Sequence, residues 1–113
     1  MDAKVTVVSG VYVVSVEGRI DSYTAGELQA VLNGVVSEGG LRLVANFAGV
    51  DFMSSASLRM LLEALKGVRS RGGDLRLAAV REPVARIFDL TGFAGILQIY
   101  PDVDAAVASF KAD

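Results

Sequence analysis

The segment from Leu41 to Val68 constrains the fold more than any other. Leu41 to Phe47 is apolar except at Arg42 and Asn46, which suits a strand that is covered on both faces or lies centrally in a sheet. Beyond it, Leu58, Leu61, Leu62, Leu65 and Val68 recur at i, i+3, i+4, i+7 and i+10, one face of an amphipathic helix. Between strand and helix lie Ser54, Ser55 and Ser57, on or just before the first helical residues. A serine there can cap the helix by accepting a backbone N–H bond. The same place carries free N–H groups and the positive end of the helix dipole, so it suits an anion, bound or covalent.

The strand-then-helix pattern recurs along the chain. Val5 to Ser9 and Val11 to Glu17 read as β-branched strands joined by a hairpin, with Val8-Ser9-Gly10-Val11 at the turn. Gly18-Arg19-Ile20-Asp21 leaves the second strand. Thr24 and Glu27 have the spacing of a capping box, and Leu28, Val31, Leu32 and Val35 supply the apolar face of a first helix. Gly34 weakens that helix, and Gly39-Gly40 end it. The helix after the serines ends near Arg71-Gly72-Gly73, with Arg69 and Arg71 placed to complement its dipole and Arg59 spaced to pair with Glu63.

Asp74 to Val80 forms a further strand. Pro83 opens a third helix with Val84, Ile87 and Phe88 inward, and Thr91-Gly92 close it. Ile96 to Tyr100 is a fifth short strand. Pro101-Asp102 start a last helix carrying Val103, Ala106, Val107 and Phe110, and Lys111 to Asp113 form a frayed tail. The order β-β-α-β-α-β-α-β-α predicts an α/β fold: one domain over residues 1–113, with a mixed, mostly parallel sheet of four to five strands and about four helices. Gly39-Gly40-Leu41-Arg42-Leu43 resembles Gly72-Gly73-Asp74-Leu75-Arg76-Leu77, as two αβ connections of one geometry would.

Composition narrows the chemistry. The chain lacks cysteine and histidine, which removes disulfides, thiolate nucleophiles, Ser-His arrangements and ordinary zinc sites together. Its lysines are Lys4, Lys66 and Lys111, and Lys66 lies well down the helix from Ser55, so a serine nucleophile has no evident base. No enzyme activity, metal or cofactor is expected. A formal charge of −2 with no block of basic residues gives no footprint for DNA or RNA. The N-terminus has no signal-peptide pattern and no apolar run approaches about 18 residues. The expected setting is therefore cytoplasmic, away from membranes.

Two stretches resemble a known family. Gly18-Arg19-Ile20-Asp21-Ser22-Tyr23-Thr24-Ala25 and Val50-Asp51-Phe52-Met53-Ser54-Ser55-Ala56-Ser57-Leu58-Arg59 are similar to the two signature segments of the STAS domains. Within that family the match is to the small stand-alone anti-sigma factor antagonists of bacteria. Gly72 to Leu77 and Val84 to Phe88 fit the same pattern, so the resemblance covers essentially the whole chain.

The resemblance implies a partner switch. The serine at the position of Ser55 is phosphorylated by an anti-sigma factor that is also a serine kinase. The unphosphorylated form binds that kinase and releases a sigma factor, and a phosphatase resets the switch. Ser57 is the alternative acceptor. Asp21, Ser22, Tyr23, Thr24, Ser54, Ala56, Ser57, Arg59 and Met60 form the expected surroundings of the switch or its partner surface. Asp21 could orient the serine, contact the kinase or cap its own loop. Arg59 could face the phosphate, a partner or Glu63, and Met60 a partner or the core edge. Ser54 stands where many members carry Asp, and Ala56 and Ser57 where Ser/Thr and Gly are frequent. A scaffold or a nucleotide- or phosphate-binding module with no covalent switch is the alternative function.

Overall fold

Two residues with positive φ, Ser9 at 52° and Gly10 at 77°, make the tight turn that joins β1 (Asp2–Val8) to β2 (Val11–Ile20) as an antiparallel hairpin with Val8 opposite Val11. Positive φ at both central residues is the twist that suits a two-residue hairpin. The computed structural model describes residues 1–112. After the hairpin come α1 (Ala25–Ser37), β3 (Arg42–Met53), α2 (Ser57–Arg69), β4 (Asp74–Ala78), α3 (Glu82–Thr91), β5 (Ile99–Tyr100) and α4 (Val103–Ser109). Among the described residues the sheet has five strands in the order β1-β2-β3-β4-β5, and every pair after the first is parallel.

That order decides where the helices go. Sequential parallel strands joined by right-handed crossovers leave their helices on one face. Leu28 and Leu32 of α1, Leu58, Leu61 and Leu65 of α2, and Val84 and Phe88 of α3 accordingly share one core with Val14, Leu43, Ala45 and Leu75. The helix after the last strand, α4, covers the other face, where Ala106, Val107 and Phe110 pack on Val11, Val13, Val44 and Ala78. β3 is thus buried on both sides over the apolar run that foretold it.

Several boundaries differ from expectation. β2 continues to Ile20 and β3 to Met53 because their C-terminal halves also pair. Register shifts at Ser15/Glu17 and Gly18/Arg19 break the alternation that would have revealed this. β4 stops at Ala78, since Ala79 turns to φ 57°. β5 is only Ile99–Tyr100, because a 3₁₀ turn at Phe93–Gly95 follows the left-handed Gly92 and takes up the chain. The Thr24–Glu27 capping box does not form: Thr24 makes no side-chain cap bond to α1. Of the tail Lys111 to Asp113, Lys111 and Ala112 belong to a 3₁₀ turn from Phe110, and Asp113 lies outside the described residues.

Candidate functional site

The last paired residues of β2 and β3, Ile20 and Met53, bring both signature segments to one edge of the sheet. There Ser54 N donates to Ile20 O at 2.9 Å. The chain then turns into α2, with Ala56 already helical at φ −63°, ψ −32°. Ser54 acts as the cap: its hydroxyl oxygen accepts the N–H of Ser57 at 3.2 Å. The Ser54 and Ser57 hydroxyls lie 2.6 Å apart, and the Ser57 hydroxyl donates to Ile20 O at 3.3 Å. One arrangement satisfies all three bonds, with Ser54 donating to Ser57 and Ser57 donating to Ile20.

The three serines therefore differ. Ser57, the alternative acceptor, is 2% exposed and its hydroxyl is engaged by Ser54 and Ile20. Ser54 is half-buried and capping. Ser55 is exposed, and among the described residues its hydroxyl has no hydrogen-bond partner. It lines a cleft of about 320 Å³ with Ala56, Arg59 and Phe93.

Asp21 closes the neighbouring loop. Its Oδ1 accepts the N–H of Tyr23 at 3.0 Å and of Thr24 at 3.1 Å. The Thr24 hydroxyl donates to Arg19 O at 2.8 Å, with Asp21 Oδ1 sharing it at 3.3 Å, and it accepts the Asp21 N–H at 2.9 Å. The Thr24 and Tyr23 amides hold the Asp21 carboxyl below its ordinary value, helped by the Thr24 hydroxyl and Arg19 and opposed by desolvation. Of its three readings, loop capping is the one these bonds describe. Ser22 and Tyr23 are exposed, Tyr23 by 88%.

Of the two readings of Met60, partner contact or core edge, its 7% exposure and place in the main core fit the second. Arg59 is exposed and, among the described residues, makes no ion pair with Glu63, whose Oε2 instead takes a bond from Gln29 Nε2 at 3.4 Å. Two features went unread in the sequence. Arg19 lies over the Phe52 ring at 4.1 Å, because the register pairs them across β2 and β3. Phe93 reaches the cleft from beyond α3, and no local pattern signals that placement. Among the described residues no cluster of three or more His, Cys, Asp or Glu could hold a metal. No helix among them is long and apolar enough to cross a membrane.

The site is thus a serine-bearing turn at the C-terminal edge of an α/β sheet packed by helices on both faces. The STAS domain family model matches residues 2–106. BtrV of Bordetella bronchiseptica is 32% identical over 104 residues, covering 92% of this chain and 90% of that protein. The anti-sigma-B factor antagonist of Staphylococcus epidermidis is 33% identical over 88 residues, covering 78% and 82%. Among solved structures, an anti-sigma factor antagonist from Mycobacterium paratuberculosis superposes with a TM-score of 0.86 at 29% identity, over 96% of this chain and 92% of that one. Unphosphorylated SpoIIAA superposes at 0.83 over 99% and 98%, and at 16% identity it shows the shared fold alone. The chain belongs to the STAS domain family. The Staphylococcus epidermidis relative and the Mycobacterium paratuberculosis structure are both named as anti-sigma factor antagonists.

Proposed function

We propose that this protein antagonises an anti-sigma factor that is also a serine kinase, and that phosphate on Ser55 switches the interaction off. The observation that carries this reading is the division of labour in the turn: Ser54 and Ser57 bond each other, while Ser55 alone presents an exposed, unbonded hydroxyl. In the transfer, Ser55 Oγ forms a bond to the γ-phosphorus of the kinase's nucleoside triphosphate. The bond to the bridging oxygen breaks, the nucleoside diphosphate leaves, and the hydroxyl proton passes to a base of the kinase. SpoIIAA, which shares the fold, has been solved in a phosphorylated form.

The absence of Asp before Ser55 does not weaken the turn, because Ser54 fills the capping role for which Asp and Ser are both suited. A phosphate adds about −1.5 to −2 charges. On this surface it leaves the core intact and spoils a docking interface through desolvation and repulsion. A phosphatase restores the hydroxyl, and the cycle runs in the cytoplasm.

Two measurements test the reading. Intact mass and site mapping of protein from its own host should find phosphate on Ser55 and none on Ser57. Ser55→Ala should bind the kinase partner, and Ser55→Asp should bind it at least about tenfold more weakly with an unchanged melting temperature. Equal binding by the two variants, with unmodified protein under every growth condition, would sink the switch and favour a scaffold or phosphate-binding module.

A further inference from the structure

We infer that Arg59 is the intramolecular counter-ion of the phosphate on Ser55, so that the modified cleft closes on its own charge. This rests on the reading of Ser55 as the phospho-acceptor. Ser55 and Arg59 are four residues apart and line the same cleft of about 320 Å³. Ser55 lies in the turn just before the Ala56 cap and Arg59 in the first turn of α2, so both stand at the same end of the helix. Arg59 is the one charged residue among those lining it, with Ala56 too small to block the approach and Phe93 forming a wall.

Two acidic groups of the neighbouring elements already have partners. Glu63, one turn further along α2, bonds Gln29 at 3.4 Å. Asp21, ahead of α1, is bonded to the Tyr23 and Thr24 amides. Among the described residues Arg59 has no ion pair, so nothing must be broken for it to turn toward position 55.

The chemistry fits a guanidinium and a phosphate. The planar fork matches two phosphate oxygens at once, which a lysine ammonium does as a point charge only. Pairing favours the dianion, so the second ionisation of the phosphate moves below its usual value of about 6. The pairing also changes what a partner meets. Before modification the cleft offers a free cation beside a neutral hydroxyl. Afterwards the cation is taken up and the surface carries net negative charge, so the switch removes one attraction as it adds a repulsion.

The test uses the full chain with phosphoserine encoded genetically at position 55, which makes it independent of whether any kinase acts there. The phosphorus-31 resonance is followed through a pH titration for the parent chain, Arg59→Gln and Arg59→Lys. The parent should titrate lower than Arg59→Gln by roughly half a unit to one unit. Arg59→Lys should fall between them. The Arg59 Nε–H proton signal should also shift on phosphorylation. The unphosphorylated Arg59→Gln chain should melt with the parent, because the side chain is exposed.

Equal titration of the parent and Arg59→Gln, with an unmoved Arg59 signal, would overturn the assignment. That result would leave Ser55 as an acceptor untouched. Conversely, unphosphorylated Ser55 in the host would defeat the proposed function while the encoded phosphoserine still reports on the cleft.

Discussion

At Asp21 one carboxylate holds a loop by accepting two backbone amides, Tyr23 and Thr24, and its pKa is lowered from 3.8 as a result. A carboxyl whose pKa falls on folding stabilises the fold fully above its unfolded value and loses that contribution as pH falls through the folded one. Asp21→Asn should therefore be less stable than the parent near neutral pH. Their urea midpoints should converge as pH drops below 3.8. An offset that stays constant down to about pH 2.5 would mean that charge has no part in the cap. The serine turn shows what a sequence conceals at this scale. Ser54, Ser55 and Ser57 are one residue type in one short stretch, yet they are a cap, an exposed hydroxyl and a buried bridge. Their hydrogen bonds and burial separate them. Met60 is a parallel case: it stands off the leucine stripe, yet it belongs to the main core.

The similar Gly-Gly connections after α1 and α2 are repeats of one helix end. Gly39 and Gly72 take φ of 95° and 86°, and Gly40 and Gly73 each donate at 2.9 Å to the carbonyls of Val35 and Val68. With Gly39 N to Val36 O and Gly72 N to Arg69 O, these are two Schellman motifs. Arg71 adds a bond from Nη1 to Val36 O at 3.3 Å, tying the two helix ends together. Arg69 lies in the last turn of α2, where it complements the dipole as expected, and it also pairs with Asp74 at 2.9 Å, which holds Arg76 as well. Glycines in these elements should respond in opposite ways. A Cβ at Gly73 would lie 2.1 Å from Leu41 O, which is backbone and cannot yield. Gly73→Ala should cost at least about 2 kcal/mol in urea unfolding. Gly34 sits inside α1, and a methyl added there would meet nothing within 4 Å, so Gly34→Ala should stabilise by about 0.5–1 kcal/mol. A destabilised Gly34→Ala would show that this face of α1 is covered by something the chain itself does not supply.

For the molecule as a whole, the sheet has one long open edge. β1 carries Val5, Val7 and Val8 at 43%, 59% and 42% exposure, and its outer side has no strand beside it among the described residues. Such an edge invites pairing with another chain. Val7→Lys should leave the unfolding free energy within about 0.5 kcal/mol of the parent. It should also reduce concentration-dependent association measured by light scattering. A large loss of stability would mean that Val7 is packed, and unchanged association would clear the edge of blame. The opposite edge needs no such protection, since β5 is two residues long.

The sequence by itself determined the class of fold, because period-two and period-3.6 patterns alternate along it and each apolar face must find a neighbour. It also determined the family, through Gly18 to Ala25 and Val50 to Arg59. The tertiary structure alone decided that these segments meet, since Ile20 and Met53 pair only in the register that the bulges of β2 and β3 set. It alone put Phe93 against Ser55 and Arg59 and turned Ser57 inward. Periodicity records which face of an element is apolar. Which residues from distant elements share a cleft depends on register and crossover packing, and those are properties of the assembled sheet.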